Sequence, residues 1–297
     1  MPADTDPMLQ IQTLKSIRKW RDRLFVARER VAEQFVLRRP KRILFTPWPP
    51  AEEPLRRSFV GTRHHIEFGP APAGGGDYDL VVPLTVEALA TAALDGALCR
   101  RNPLRIPDPR VVELCHDKAA LNARLREFGF ASHIPAPAHS GEFPYSLKLR
   151  RDDGGKNSFC IDGPADEAEH RAKLDSPDYF AQQIVLGKME FTTHLVHARG
   201  DTPRALTISF RMATDRAVRG RDPVALHRRV CTHDTRLFAA MLDAIGFEGL
   251  CCVNYKLLDG RPQLLEINPR AGITLLPFFA TFLRSFDWRA DRTFARD

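Results

Sequence analysis

Leu264-Leu265-Glu266-Ile267-Asn268-Pro269-Arg270 sets a carboxylate, a carboxamide and a guanidinium at every second position after an apolar run. In an extended strand, alternate side chains share a face. The pattern predicts that Glu266, Asn268 and Arg270 converge on one site while Leu265 and Ile267 face the core. Glutamate and asparagine oxygens suit a hard cation such as Mg2+. An arginine beside them suits a phosphate or a carboxylate. The stretch reads as a nucleotide–metal site carried on a strand. Alone it also fits a strand that runs into a proline turn, so its neighbours decide.

Just upstream, Asp259-Gly260 is a strong hairpin signal between strands at Gly249–Leu258 and Gln263–Asn268. Asn254 lies 12 residues before Glu266, a spacing that lets such a hairpin bring both to one place. Earlier come a helix from Arg236 to Ile245 and two strand-rich blocks, at about 179–212 and 144–161. Val112 to Phe128 reads as one helix closing at Gly129. The proline-rich run Asn102–Pro109 marks a domain boundary. Before it, strands at 42–47, 64–68 and 78–83 and a helix at 86–98 suggest a small parallel α/β domain, with a proline-rich loop after the first strand. No GxGxxG occurs, which argues against a dinucleotide-binding fingerprint.

A chain of 297 residues has room for one or two domains with a well-buried core. Its 43% hydrophobic and 27% charged content is that of an ordinary globular protein. No leader peptide is expected, because the acidic start is followed by no apolar stretch. The longest late apolar run, Ile273 to Leu283, is far short of a membrane span. The six cysteines show no CxxC spacing and read as reduced thiols of a cytoplasmic protein. The net charge of +7 is uneven: residues 9–42 carry 11 Lys/Arg and 3 Asp/Glu, a net of +8, leaving −1 for the rest. That argues against a protein that coats nucleic acid.

The basic segment itself, about 9–38, reads as an amphipathic helix with Ile17, Trp20, Leu24, Ala27 and Val31 in a stripe. Three readings stay open. The helix packs on its own domain or on a second subunit of a homodimer, offers a basic surface to an acidic macromolecular partner, or is a mobile arm.

Segments along the chain resemble the ATP-grasp superfamily, in that family's order. Cys115-His116-Asp117-Lys118, with Gly129 and Pro135-Ala136-Pro137 downstream, is similar to the segment whose lysine contacts nucleotide phosphate. Pro144-Tyr145-Ser146-Leu147-Lys148 is similar to the strand with the second ATP lysine, and Asp152-Asp153-Gly154-Gly155-Lys156-Asn157-Ser158 follows where the family has its glycine-rich flap. Tyr179 to Thr192 resembles the hinge strand and its G.E turn. Val253-Asn254-Tyr255 and Glu266-Ile267-Asn268-Pro269-Arg270 resemble the two metal-binding strands. The resemblance spans about residues 100–275.

The resemblance implies an ATP-grasp fold of α/β class, α+β in the catalytic half. The basic helix would occupy 1–40, a pre-ATP-grasp α/β domain 41–108, and the ATP-grasp domain 109–297 with a lid at about 140–190. It implies Lys118 and Lys148 on phosphate, Gln183, Ile184 and Val185 at adenine, and Glu190 on ribose. Glu266, Asn268 and Asn254 would hold Mg2+ or Mn2+, Lys148 and Arg270 would act in catalysis, and Arg211 and Arg270 would meet substrate. The implied activity is ADP-forming coupling of a small carboxylate to an amine. Gln183 and Asn254 stand where the family usually has acids, so a regulatory ATP-binding or scaffold protein is the alternative.

Overall fold

In the computed structural model the described residues are 22–29, 31–32, 37, 39–152, 155–200, 203–230 and 235–288. They form three sheets. β1 (Arg42–Phe45), β2 (His65–Phe68) and β3 (Leu80–Val82) make a parallel sheet of order β2-β1-β3. β4 (Tyr145–Leu149), β5 (Ser158–Ile161) and β6 (Tyr179–Gln183) make an antiparallel sheet of order β5-β4-β6. β7 (Met189–His197), β8 (Arg204–Met212), β9 (Val224–Val230), β10 (Gly249–Leu258) and β11 (Arg261–Asn268) make the large antiparallel sheet, order β11-β10-β7-β8-β9. β1 and β3 are buried apolar runs, as parallel strands covered on both faces must be, whereas the edge strand β2 alternates exposed His65 and Glu67 with half-buried Ile66 and Phe68.

The helices are α1 (residues 22–29), α2 (Pro49–Phe59), α3 (Val86–Ala93), α4 (Gly96–Arg101), α5 (Pro109–His116), α6 (Lys118–Leu125), α7 (Pro164–Glu169), α8 (Arg171–Leu174) and α9 (Thr235–Ile245). The core joins distant parts of the chain. Phe45 of β1 meets Phe59 of α2 and Phe279 of a 3-10 helix, Leu276–Ser285, edge-on at 6.0 and 5.1 Å. Behind the large sheet, α6 and α9 supply Leu121, Leu125, Phe238, Met241 and Leu242 against Cys251, Val253 and Ile267.

Several elements depart from the sequence expectation. The loop after β1 is α2, because Pro49 and Pro50 fall in the first turn, where a missing N–H costs nothing. The expected helix 86–98 breaks at Asp95, whose carboxylate caps α4 through Ala97 and Leu98 N–H. The expected helix 112–128 breaks at Asp117, which caps α6 through Ala120 N–H. β9 has no counterpart among the strands expected from the sequence. A bulge between Asn254 and Tyr255 pairs Asn254 with Glu266 but Tyr255 with Leu264, leaving Leu265 unpaired. The extra residue upsets the alternation, so Leu265 lines the cleft and does not join the core, whereas Ile267 is buried.

Of the amphipathic N-terminal helix, Ile17 and Trp20 lie outside the described residues. In α1 the expected stripe does not face the body: Leu24 is 50% exposed. Phe25 packs on Phe278 instead, and the buried Glu29 is ion-paired with Arg204 and Arg284. No helix among the described residues is long and apolar enough to cross a membrane.

Candidate active site

Between the two antiparallel sheets lies a cleft of about 500 Å³. Its floor is the β10–β11 hairpin. Its roof is β4 and β5, and one wall is the β8–β9 connection. Seven lysines and arginines line it against two glutamates, an excess of five positive charges among the described residues. Such an excess is costly to assemble without an anionic ligand.

Asp117 fixes one lysine. Its carboxylate takes both Arg150 Nε and Nη2, at 3.1 and 2.7 Å, while capping α6. Lys118, the next residue, is thereby aimed inward. Its Nζ donates to Asp152 O at 2.6 Å and lies 3.4 Å from Glu266 Oε2. The other lysine, Lys148, stands on β4 between Ser158 and Phe180. Its ammonium makes no hydrogen bond or ion pair among the described residues. Burial, against the pull of Glu266, lowers its pKa to about 8.

On the floor, Asn254 and Glu266 face each other across the hairpin. Glu266 Oε1 accepts from Asn254 Nδ2 at 2.5 Å and from Asn268 Nδ2 at 3.0 Å. Burial pushes the Glu266 carboxyl up, but Lys118 and the Asn268, Arg219 and Asn254 groups outweigh it and hold it below the usual range. Arg270, two residues past Asn268, lines the same cleft with its guanidinium 5.4 Å from the Trp48 ring.

At the other end Glu190, 4% exposed, pairs through Oε1 with Arg219 Nε at 2.5 Å. Ile184 and Val185 line the cleft beside it. Gln183 does not: it is exposed and bound through its backbone N–H to Ala136 O at 2.7 Å. By strand alternation the inward residue is Gln182, which is buried and accepts from Asn122 Nδ2 at 3.1 Å. Arg211 is also outside. It is exposed, next to Phe210, whose ring lies under the Arg219 guanidinium on the cleft side, so alternation turns Arg211 away.

The arrangement places a cation-lined channel between an apolar slot and a single carboxylate flanked by two carboxamides. No protein-family model matches the sequence, and no curated protein is similar to it in sequence. Solved structures do resemble it. D-alanine–D-alanine ligase from Bacillus anthracis matches with a TM-score of 0.57 at 14% identity, over 84% of this chain and 94% of that one. Phosphoribosylamine–glycine ligase from Thermotoga maritima matches with a TM-score of 0.58 at 16% identity, over 82% and 72%. L-amino acid ligase from Bacillus licheniformis matches with a TM-score of 0.56 at 15% identity, over 82% and 70%.

The chain has the ATP-grasp fold.

Within the ATP-grasp frame, several cleft residues escaped the sequence reading. Lys256 is buried two positions beyond Asn254 on β10, opposite Glu190 of β7. The same alternation that singled out Glu266 and Asn268 would have found it. Its Nζ donates to Asp215 O at 3.2 Å and Ala217 O at 3.3 Å, tying down the loop that carries Arg219. Arg219 itself had no sequence signal, because it comes from an irregular connection. Gly272 has a different role. A Cβ there would stand 2.8 Å from His194 Cε1 and 3.0 Å from Cys252 Sγ, so only glycine fits. Asp153 and Gly154 of the flap-like segment lie outside the described residues, as do the side chains of Arg228 and Arg229.

At Glu266 a divalent cation meets an occupied carboxylate: Oε1 takes the Asn254 and Asn268 Nδ2 groups and Oε2 lies 3.4 Å from Lys118 Nζ, so the ion would have to displace the lysine and turn the Asn268 carboxamide over. Among the described residues, no three His, Cys, Asp or Glu side chains are grouped to hold a metal.

Proposed function

We propose that the protein is an ADP-forming ligase that activates a carboxylate with ATP and joins it to an amine. The observation that carries this is the unpaired Lys148 ammonium beside Lys118, in a cleft with a large positive excess and Glu266 at its end. Supporting it, the structural neighbours named above are ligases in their own right, and D-alanine–D-alanine ligase from Bacillus anthracis has been solved with ATP.

In this reading adenine enters the slot at Ile184 and Val185, with Gln182 at its edge. Glu190 accepts from the ribose hydroxyls, and the triphosphate runs toward Lys148 and Lys118. A substrate carboxylate oxygen attacks the γ-phosphorus, the bond to the β-phosphate oxygen breaks, and ADP leaves. The amine then attacks the acyl carbon, inorganic phosphate departs, and the nitrogen loses its proton. Lys118 and Lys148 offset charge that builds on the phosphoryl oxygens. Arg270 orients the acyl phosphate from the far side. Glu266, with the Asn268 carboxamide turned over to present its oxygen, would hold magnesium, which would supply charge neutralisation at the transferred phosphoryl group. Residues of about 140–190 act as the lid that excludes water from the acyl phosphate.

The test is ADP release from Mg-ATP over pooled carboxylates and amines, with Lys148→Ala as the control. Release that needs one acid and one amine and vanishes in the variant supports the reading. ADP release unchanged in Lys148→Ala removes it.

A further inference from the structure

We propose that the acid this cleft activates is a monocarboxylate with an uncharged, apolar skeleton, seated between Trp48, Pro50 and Ile273 with its carboxylate on Arg270. The inference rests on the ligase reading above and names the substrate class of that same site.

Strand register locates the subsite. β10 crosses the cleft floor in rows. Lys256 pairs with Glu190, Asn254 with Thr192 and Glu266, and Cys252 with His194 and Asn268. Residues two apart on a strand stand about 7 Å apart, so the Cys252 row lies ~14 Å from the Lys256 row. In the reading above the first row meets the nucleoside and the second the phosphoryl groups. The acid then sits past the third. There the lining is Arg270, Ile273 and Thr274 from the segment after β11, and Trp48 and Pro50 from the segment after β1. β1 is the middle strand of the parallel sheet, and the carboxyl end of such a strand is where open α/β sheets take ligands.

The charge at this end is a guanidinium. Arg270 lies 5.4 Å from the Trp48 ring, and the Thr274 hydroxyl is engaged by His194 Nε2 at 2.9 Å. Of the two glutamates in the lining, Glu190 pairs with Arg219 and Glu266 with Lys118. Among the described residues no third acid lines the cleft to receive an ammonium. An α-amino acid would set its ammonium near Arg270 with no carboxylate to offset it.

A second anionic group fares no better. A helix start ordinarily offers N–H groups to an anion. α2 starts with Pro49 and Pro50, which have none, and Ala51 N–H is bonded to Trp48 O at 2.8 Å. The cleft meets a proline ring instead. Ile273 is 50% exposed, a large apolar side chain left at the rim. A hydrocarbon skeleton gains by covering the indole, the proline and Ile273, whereas a charged group loses water there and finds no partner.

The experiment is calorimetric titration of acids into the protein loaded with Mg2+ and a non-hydrolysable ATP analogue, whose own binding is first shown by a melting shift. The acids are matched: 3-phenylpropanoate against phenylalanine and benzylsuccinate, which add an ammonium and a second carboxylate, and hexanoate against norleucine. In at least one set the plain acid is expected to bind about tenfold more tightly than its charged counterparts. With Mg-ATP and hydroxylamine, that plain acid is expected to yield its hydroxamate. Its oxygen takes the γ-phosphoryl group and releases ADP, then the hydroxylamine nitrogen attacks the acyl carbon, phosphate leaves and the nitrogen loses a proton. Ile273→Asp supplies the missing acid and is expected to close the gap between the plain acid and the amino acid. A gap as wide as in the wild type overturns the place given to the skeleton. An amino acid or diacid that binds as tightly as the plain acid, or loaded protein that takes none of these acids, overturns the inference and leaves the ATP reading standing. An analogue that fails to bind removes the ATP reading and this inference with it.

Discussion

Arg219 Nε lies 2.5 Å from Glu190 Oε1, so the carboxylate proposed to meet ribose already has a cation on it. A nucleoside that hydrogen-bonds to Glu190 has to share it with Arg219. A nucleoside triphosphate repays the exchange, because the released guanidinium gains phosphate. Arg219→Met therefore affects two ligands in opposite directions. Adenosine is expected to bind a few times more tightly, and ATP about tenfold more weakly, about 1.4 kcal/mol. Calorimetric titration of both ligands checks it; equal changes for the two contradict the exchange.

Lys148 makes the unliganded protein pay for its future ligand. Its side chain is half-buried in the cleft, and desolvation lowers its pKa to about 8 from the ordinary 10.5. Between those two values the unfolded chain holds a proton that the folded chain has released, so stability rises with pH across that window. Below it, the full penalty is present. Lys148→Met is expected to raise the melting temperature at pH 7 and to flatten the rise between pH 8 and 10, with a ceiling of about 3 kcal/mol. Inorganic triphosphate should stabilise the wild type more than the variant. Thermal melts across pH, with and without triphosphate, decide it.

His194 titrates in the opposite range. Burial first, and the Arg219 charge second, lower the imidazole pKa to about 3, and Nε2 sits 2.9 Å from Thr274 Oγ1. An unfolded histidine takes its proton near 6.5, so the folded form loses stability as pH falls below that value, at up to about 1.4 kcal/mol per unit. His194→Gln removes this slope between pH 6.5 and 4 without disturbing the plateau above pH 7. Chemical denaturation at a series of pH values measures it. A slope unchanged in the variant shows that other groups carry the acid sensitivity.

Gly272→Ala introduces a Cβ 2.8 Å from His194 Cε1 and 3.0 Å from Cys252 Sγ. Neither neighbour is the end of a long flexible chain, so the strain falls on the backbone between Arg270 and Thr274. The expected loss is about 1–3 kcal/mol of stability, together with a fall in acyl transfer as Arg270 moves. Denaturant midpoints and ADP release on one preparation test it; a fully stable, fully active variant would show that the neighbours yield freely.

Removing the cap on α6 reaches Lys118 indirectly. Asp117 accepts from Ala120 N–H and binds Arg150 and Arg151. Asp117→Ala is expected to cost about 1–2 kcal/mol and to weaken ATP binding by freeing the first turn that aims Lys118. Asp117→Asn, which keeps the cap, should restore most of the stability and less of the affinity. Paired melts and ATP titrations separate the two effects.

What the sequence made legible was what strand periodicity encodes. Glu266 and Asn268 share the cleft because they are two apart, and the Asp259-Gly260 turn fixed the hairpin that sets Asn254 opposite Glu266. The resemblance implies Gln183 at adenine, whereas the pairing of β6 with β4 puts the neighbouring Gln182 on the cleft side. Periodicity misleads where one extra residue changes the parity. Leu265 was assigned to the core because a bulge leaves no mark in composition. Arg211 stands out in the sequence as an arginine on an expected strand of the catalytic half, whereas Arg219, which lines the cleft, arrives on a loop. Helix ends were missed at Asp95 and Asp117, because a carboxylate in an otherwise helical run reads as a surface residue until its capping bonds are seen. The fold as a whole was readable from the order of weak segments, since each fixes the sheet position of the next.

The bulge at Leu265 sets the direction of the strand end that carries the site. With Tyr255 on Leu264 and Asn254 on Glu266, β11 spends one residue more than β10 between the turn and the site. Without Leu265 the ladder would run on regularly, Leu264 in the core and Glu266 still facing the cleft opposite Asn254. What would go is the leucine that lines the cleft and the local bend that aims Asn268 and Arg270. The extra residue thus governs the aim of the site, not the side of the sheet on which it stands.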